Sequence, residues 1–157
     1  MSDSTKTRFT HAEICAILPQ NPPFMFLDEA EIEGDVIRST YLIRGDEDFL
    51  RGHFKNEPVF PASVVFEALG QNGCLWVLHN APTRLGGAIS ASHVLFASMD
   101  GAHFYRKAKP CDKLEMTLTL KQLRKPLAIF HGTVFANGKR VAEVEKVVLA
   151  FGMEAPE

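Results

Sequence analysis

The chain has 157 residues, 46% hydrophobic and 23% charged, a balance that fits one globular domain with a workable core. Its net charge of −2 excludes the strongly basic surface of a protein that coats nucleic acid, and no apolar run reaches the roughly 18 residues of a membrane helix. The first residues, MSDSTKTRFT, lack the apolar core of a signal peptide, while Cys15, Cys74 and Cys111 are too few and too scattered for a disulfide framework or a zinc cluster. Free thiols suit a reducing compartment, so a cytoplasmic protein with no membrane or nucleic-acid partner is expected.

In chain order, Thr10 with Glu13 three residues on makes the capping box of a short helix over 11–18, which Pro19 stops. Pro19, Pro22 and Pro23 keep the next stretch extended. Residues 24–31 and 35–44 read as strands around a turn at Gly34, and 45–60 as a loop carrying Gly52-His53-Phe54. Pro61 suits a first helical turn. From Val64 to Leu78 only Glu67, Gln71 and Asn72 are strongly polar, so this helix is apolar on nearly every side and must be buried. It is expected to fade by Asn80 to Pro82.

Beyond the helix the hydrophobic period falls to two. Residues 91–99 are one candidate strand, and Leu114, Met116, Leu118 and Leu120 alternate with polar neighbours in another. Strands over 127–136 and 139–151 flank Asn137-Gly138, a strong hairpin signal. One buried helix among mainly antiparallel strands is an α+β layout with a sheet curled around a helix. No repeat or linker interrupts it, and residues 8–152 are expected to form a single domain with frayed ends.

Five of the six histidines have no chemically distinctive neighbour. His11 is expected on the exposed first helix, His79 at the end of the buried one, His93 and His131 in strands, and His103 beside a turn at Gly101. His53 differs: it follows Gly52 in a loop, fourteen residues before Glu67. Glu67 lies early in the apolar helix among Val64, Phe66, Ala68 and Leu69. Burial raises a carboxyl pKa, the helix N-terminus lowers it, and an acid there also complements the dipole with no further role. A carboxylic acid near a neutral imidazole is a workable acid–base pair. The twelve phenylalanines read equally as a thick core or as the lining of an apolar slot.

The stretch 48–71, DFLRGHFKNEPVFPASVVFEALGQ, resembles the core motif of the FabZ-type 3-hydroxyacyl-acyl-carrier-protein dehydratases, F-x-G-H-F-P-x-x-P-V-x-P-G-V-L-x-x-E-A-x-A-Q. Leu18-Pro19 and Pro23-Phe24 through Asp28 resemble that family's L-P-H-R-Y-P-F-x-x-x-D segment, and 104–113, FYRKAKPCDK, its F-x-R-P-V-x-P-G-D segment. The resemblance implies a hot-dog fold, a long central helix wrapped by an antiparallel sheet. It also implies dehydration of 3-hydroxyacyl thioesters on acyl carrier protein without metal or redox cofactor, with His53 as base and Glu67 as acid. By the same likeness Gln71 steadies the acid, and the amides of Ala62 and Ser63 hold the thioester oxygen. The family's homodimers, alone or as a trimer of dimers, place the histidine of one subunit against the acid of the other.

The chain departs from the motif at several points. Ala62 stands where the motif has glycine, which is costly at positive φ and harmless in a helix. Ser63 replaces an apolar residue, Lys55 a proline, Cys111 a turn glycine, and Gln20-Asn21-Pro22 the triplet H-R-Y. Arg106, Lys107, Lys109 and Lys113 form the densest basic cluster, a candidate rim for an acidic carrier or a plain solvated surface; Arg124 and Lys125 follow at the next turn. A thioesterase of the same fold, and a non-catalytic carrier-binding subunit or partner of a second hot-dog protein, are the alternative readings.

Overall fold

A computed structural model describes residues 5–154. The elements are β1 (Lys6–Phe9), α1 (His11–Ile17), β2 (Glu29–Glu33), β3 (Val36–Leu42), a 3-10 turn (Asp48–Arg51), α2 (Ala62–Leu85), β4 (Ile89–Phe104), β5 (Lys113–Arg124), β6 (Leu127–Ala136) and β7 (Lys139–Met153). The strands form one seven-stranded sheet in the order β1-β2-β3-β5-β6-β7-β4, every pair antiparallel. The sheet wraps α2, whose run from Ala68 to Val77 is buried on all sides. This is the hot-dog arrangement.

The local signals hold where the chemistry is local. Thr10 and Glu13 form both halves of the capping box. Asn137 and Gly138 both have positive φ, 54° and 73°, the geometry of a tight two-residue hairpin turn. The buried helix closes on side chains that suit its curved wrapping: Trp76 meets Phe130 edge-on at 5.6 Å and donates its Nε1–H to the Gly34 carbonyl at 2.9 Å. The Phe96 ring lies where a Cβ on residue 70 would overlap it, so Gly70 lets β4 approach the helix.

Four expectations are corrected. Lys6 and Thr7, expected in the frayed N-terminal end, pair with Glu33 and Ile32 as part of β1; four residues carry no period strong enough to signal a strand. The first predicted strand starts at Glu29, not residue 24, because residues 24–28 peel off to lie along α2. The helix passes Pro82 and ends at Gly86 (φ 70°), whose N–H bonds the Pro82 carbonyl at 2.9 Å. A proline in the last turn forfeits one bond, and the left-handed glycine is the real stop. Gly101 makes no turn: β4 runs through it to Phe104, so His103 is a strand residue.

The phenylalanines are divided. Phe9, Phe26, Phe60, Phe130 and Phe151 are buried, Phe49 is half-buried in the loop before α2, Phe66, Phe96 and Phe104 are half-buried along α2 and β4, and Phe24, Phe54 and Phe135 are exposed.

Lys109-Pro110-Cys111-Asp112 closes through Asp112 N–H to the Lys109 carbonyl at 3.0 Å. Cys111 sits at φ 75°, the position where a type II turn calls for glycine. A left-handed non-glycine residue costs roughly 1–2 kcal/mol, partly offset by the greater freedom of an unfolded glycine. Cys111→Gly is therefore expected to stabilise the protein by about 0.5–1 kcal/mol, read as a rise of a few degrees in melting temperature; an unchanged or lower value would contradict the strain.

Candidate active site

His53 sits on a loop pinned at both ends. Phe49 and Phe60 meet at 5.4 Å between ring centroids and both pack against buried Phe26, at 6.2 and 6.1 Å; Leu50 and Val59 are buried beside them. Between these anchors the backbone folds on itself, with Val59 N–H to the His53 carbonyl at 2.7 Å and Phe54 N–H to the Glu57 carbonyl at 2.7 Å. The imidazole Nδ1 lies 2.8 Å from the Val59 carbonyl. A carbonyl only accepts, so in the neutral ring Nδ1 carries the hydrogen and Nε2 keeps its lone pair. The half-buried ring also stacks on Phe54 at 3.9 Å.

Glu67 is half-buried on the second turn of α2. Burial raises its carboxyl pKa, and one hydrogen bond from Gln71 partly opposes the rise. Gln71 is fully buried and rigidly held: its Oε1 accepts from Phe26 N–H at 2.9 Å, while Nε2 donates to the Phe24 carbonyl and to Glu67 Oε1, each at 3.3 Å. The amide is thus oriented by the segment 24–26 and offers its remaining donor to the acid. Cys74, one turn beyond Gln71, is pushed up to about 12 by burial and by the charge of Glu67; its thiol stays protonated.

Ala62 and Ser63 are the first two residues of α2, and Pro61 supplies no side-chain cap. The first amides of a helix have no partner within it and point outward with the positive end of the dipole. Ala62 has helical geometry and is absent from the positive-φ positions, so its Cβ is harmless there.

The basic cluster lies beside the histidine loop, since Phe60 N–H donates to the Ala108 carbonyl at 2.8 Å. Lys107 and Lys109 both reach the Glu57 carboxylate, at 3.4 and 3.6 Å. Arg106 and Lys113 are exposed. Arg124 and Lys125 lie at the other end of β5, roughly 35 Å along the strand at about 3.3 Å per residue, and share no rim with the others.

Among the described residues no hydrogen bond joins His53 to Glu67. A groove of about 760 Å³ runs across the outer sheet face, lined by residues such as Arg8, Glu31, Arg38 and Thr117, and none of the candidate residues lines it. Sequence reasoning missed Val59, the Phe24–Phe26 backbone and Glu57. The first two act through main-chain atoms, which leave no trace in residue type; Glu57 meets its lysines fifty residues away.

The FabA-like domain family matches residues 18–145. The 3-hydroxyacyl-acyl-carrier-protein dehydratase FabZ of Oleidesulfovibrio alaskensis is 28% identical over 156 residues, covering 98% of this chain and 99% of its own. FabZ of Enterococcus faecalis is 32% identical over 140 residues, covering 88% and 95%. Among solved structures, the dehydratase heterocomplex ApeI:P from Xenorhabdus doucetiae superposes with a TM-score of 0.74 at 13% identity, covering 90% of this chain and 91% of that one. A family match over residues 18–145, most of the chain, means that the chain belongs to the FabA-like family.

Proposed function

We propose that this protein dehydrates 3-hydroxyacyl thioesters carried on acyl carrier protein to trans-2-enoyl thioesters, in cytoplasmic fatty-acid or polyketide-type chain synthesis. The reading is carried by the geometry of two side chains, the orientation of the His53 ring and the burial of the Glu67 carboxyl. His53 has its free lone pair at Nε2 because Val59 holds Nδ1–H, and Glu67 is biased toward its acid form by burial. The names of the FabZ relatives support the substrate class.

In this mechanism His53 Nε2 takes the α-proton, and the electrons of the broken Cα–H bond form the enolate. Charge builds on the thioester oxygen, which accepts from the Ala62 and Ser63 amides at the positive end of α2; a good donor at such a site contributes about 3 kcal/mol. As the double bond forms, the Cβ–O bond breaks and Glu67 gives its proton to the departing hydroxyl, so that water leaves. Proton exchange then restores neutral His53 and protonated Glu67. Gln71 holds the Glu67 carboxyl in place. A hydrolase would need Glu67 ionised to activate water, and burial without a cationic partner works against that.

The active unit in this reading is a homodimer joined along β4. That strand is 16 residues long and stands at the sheet edge, with Leu95 65% exposed and Phe96, Met99 and Phe104 half-buried. An open apolar edge is a template for a second strand. The absence of a His53–Glu67 contact within the described chain fits a site completed by the partner's acid, with the acyl chain between subunits.

His53→Ala and Glu67→Gln are each expected to reduce enoyl formation at least about 100-fold, followed by mass spectrometry of a 3-hydroxyacyl carrier, while the dimer mass in light scattering is unchanged. A fully active His53→Ala protein, or release of free thiol as the main product, would sink the reading. Mixing the two variants tests the shared site: random dimers regain roughly a quarter of the activity, since half are mixed and each mixed dimer has one whole site. No recovery would place both residues of each site on one chain.

Gln71→Met removes the one hydrogen bond that favours ionised Glu67. The acid form then persists to higher pH, so the alkaline limb of kcat/KM moves upward. The same change leaves the buried Phe26 N–H unpaired, at about 1–3 kcal/mol of stability. A limb that stays in place or moves down would contradict the assignment of Glu67 as the acid.

A further inference from the structure

The loop that holds His53 is tied to the basic strip by charge. Glu57 closes the small turn that follows His53, with Phe54 and Glu57 bonded both ways through their main chains, at 2.7 and 3.3 Å. Lys107 and Lys109 flank buried Ala108 and alternate with it, so both project to one side and straddle the Glu57 carboxylate. All three charged groups are about half exposed, so the pairing is weak and easily exchanged. The lysines lower the Glu57 pKa; the carboxylate is charged at neutral pH. It occupies the two central cations of the cluster, leaving Arg106 and Lys113 without an ion pair among the described contacts.

We propose that Glu57 is an internal competitor for the carrier: an acidic partner must draw Lys107 and Lys109 away from Glu57, and that exchange couples docking to the fold that positions His53. The inference rests on the carrier-linked substrate proposed above. A like charge placed at the centre of a docking strip disfavours every anionic partner and is overcome only by one that offers several acidic groups in the right places. Glu57 is in this sense a positioning and selectivity residue, not a catalytic one.

Glu57→Gln keeps the size of the side chain and removes its charge. Turnover is measured on a 3-hydroxyacyl carrier protein and on the small N-acetylcysteamine thioester of the same acyl group. The variant is expected to lower KM for the carrier substrate about threefold at low salt, in line with the modest worth of a rim charge, with kcat within about twofold. The preference for carrier over small thioester rises accordingly. The difference fades at high salt, where screening falls to a few ångströms, and vanishes in a Lys107→Gln/Lys109→Gln background.

A carrier KM that is unchanged or raised in Glu57→Gln, with wild type preferring the carrier, overturns the proposal alone. A gain that persists without the two lysines makes Glu57 a simple repulsive charge and also overturns it. Wild-type enzyme that dehydrates the small thioester with no advantage from carrier linkage overturns the carrier reading, and this inference with it.

Discussion

A helix with no polar face cannot lie on a protein surface, and the rest of this fold follows from that constraint. α2 runs 24 residues, about 36 Å at 1.5 Å per residue, with apolar side chains in every direction. A flat sheet covers one side of such a rod. Only a sheet of long, strongly curled strands encloses more, and β4 to β7 supply it with 10 to 16 residues each. The enclosure is incomplete along β4, where Ile89, Val94, Phe96, Met99, Ala102 and Phe104 are only partly covered. The burial requirement that builds the domain therefore also creates the edge on which a second subunit is proposed to sit.

The few polar groups on that helix divide into satisfied and unsatisfied ones. Asn72 accepts from Ser39 Oγ at 2.6 Å and donates to the Ala68 carbonyl at 2.9 Å, which settles it in the core. Gln71 is equally committed, to Phe24 and Phe26. Among the described residues Glu67 receives one long hydrogen bond and meets no cation. A buried polar group short of partners is unfavourable, and in the proposed reaction the same burial serves Glu67 by opposing its ionisation.

Phrases whose meaning is local were legible in the residues. The capping box at Thr10, the Asn137-Gly138 hairpin and the bounds of β6 each depend on neighbours a few positions apart. The candidate pair His53 and Glu67 was legible as well, because a histidine beside glycine in a loop and an acid in an apolar helix are unusual in themselves. Elsewhere a distant contact overrode the local rule. Residues 24–27 are a short apolar run that reads as a strand yet are drawn to Gln71, and β1 exists only because β2 offers it a partner. Pro82 and Gly101 look like breaks but fall within elements that long-range packing continues through.

The sequence by itself determined the class of the fold and the buried status of the central helix, since periodicity and composition follow from which surfaces must leave water, and its motif singled out His53 and Glu67 as candidates. It also singled out Cys111 and Ala62 as replacements for glycine without telling which is strained. Tertiary structure decided that, because φ at each position depends on what the chain must reach: Cys111 turns back toward Ile43, and Ala62 opens a helix. Only the folded chain showed which imidazole nitrogen is free, how Gln71 is oriented and that Glu57 occupies the basic strip. Each of these rests on a contact across many residues of chain or on a main-chain carbonyl that every residue type carries alike.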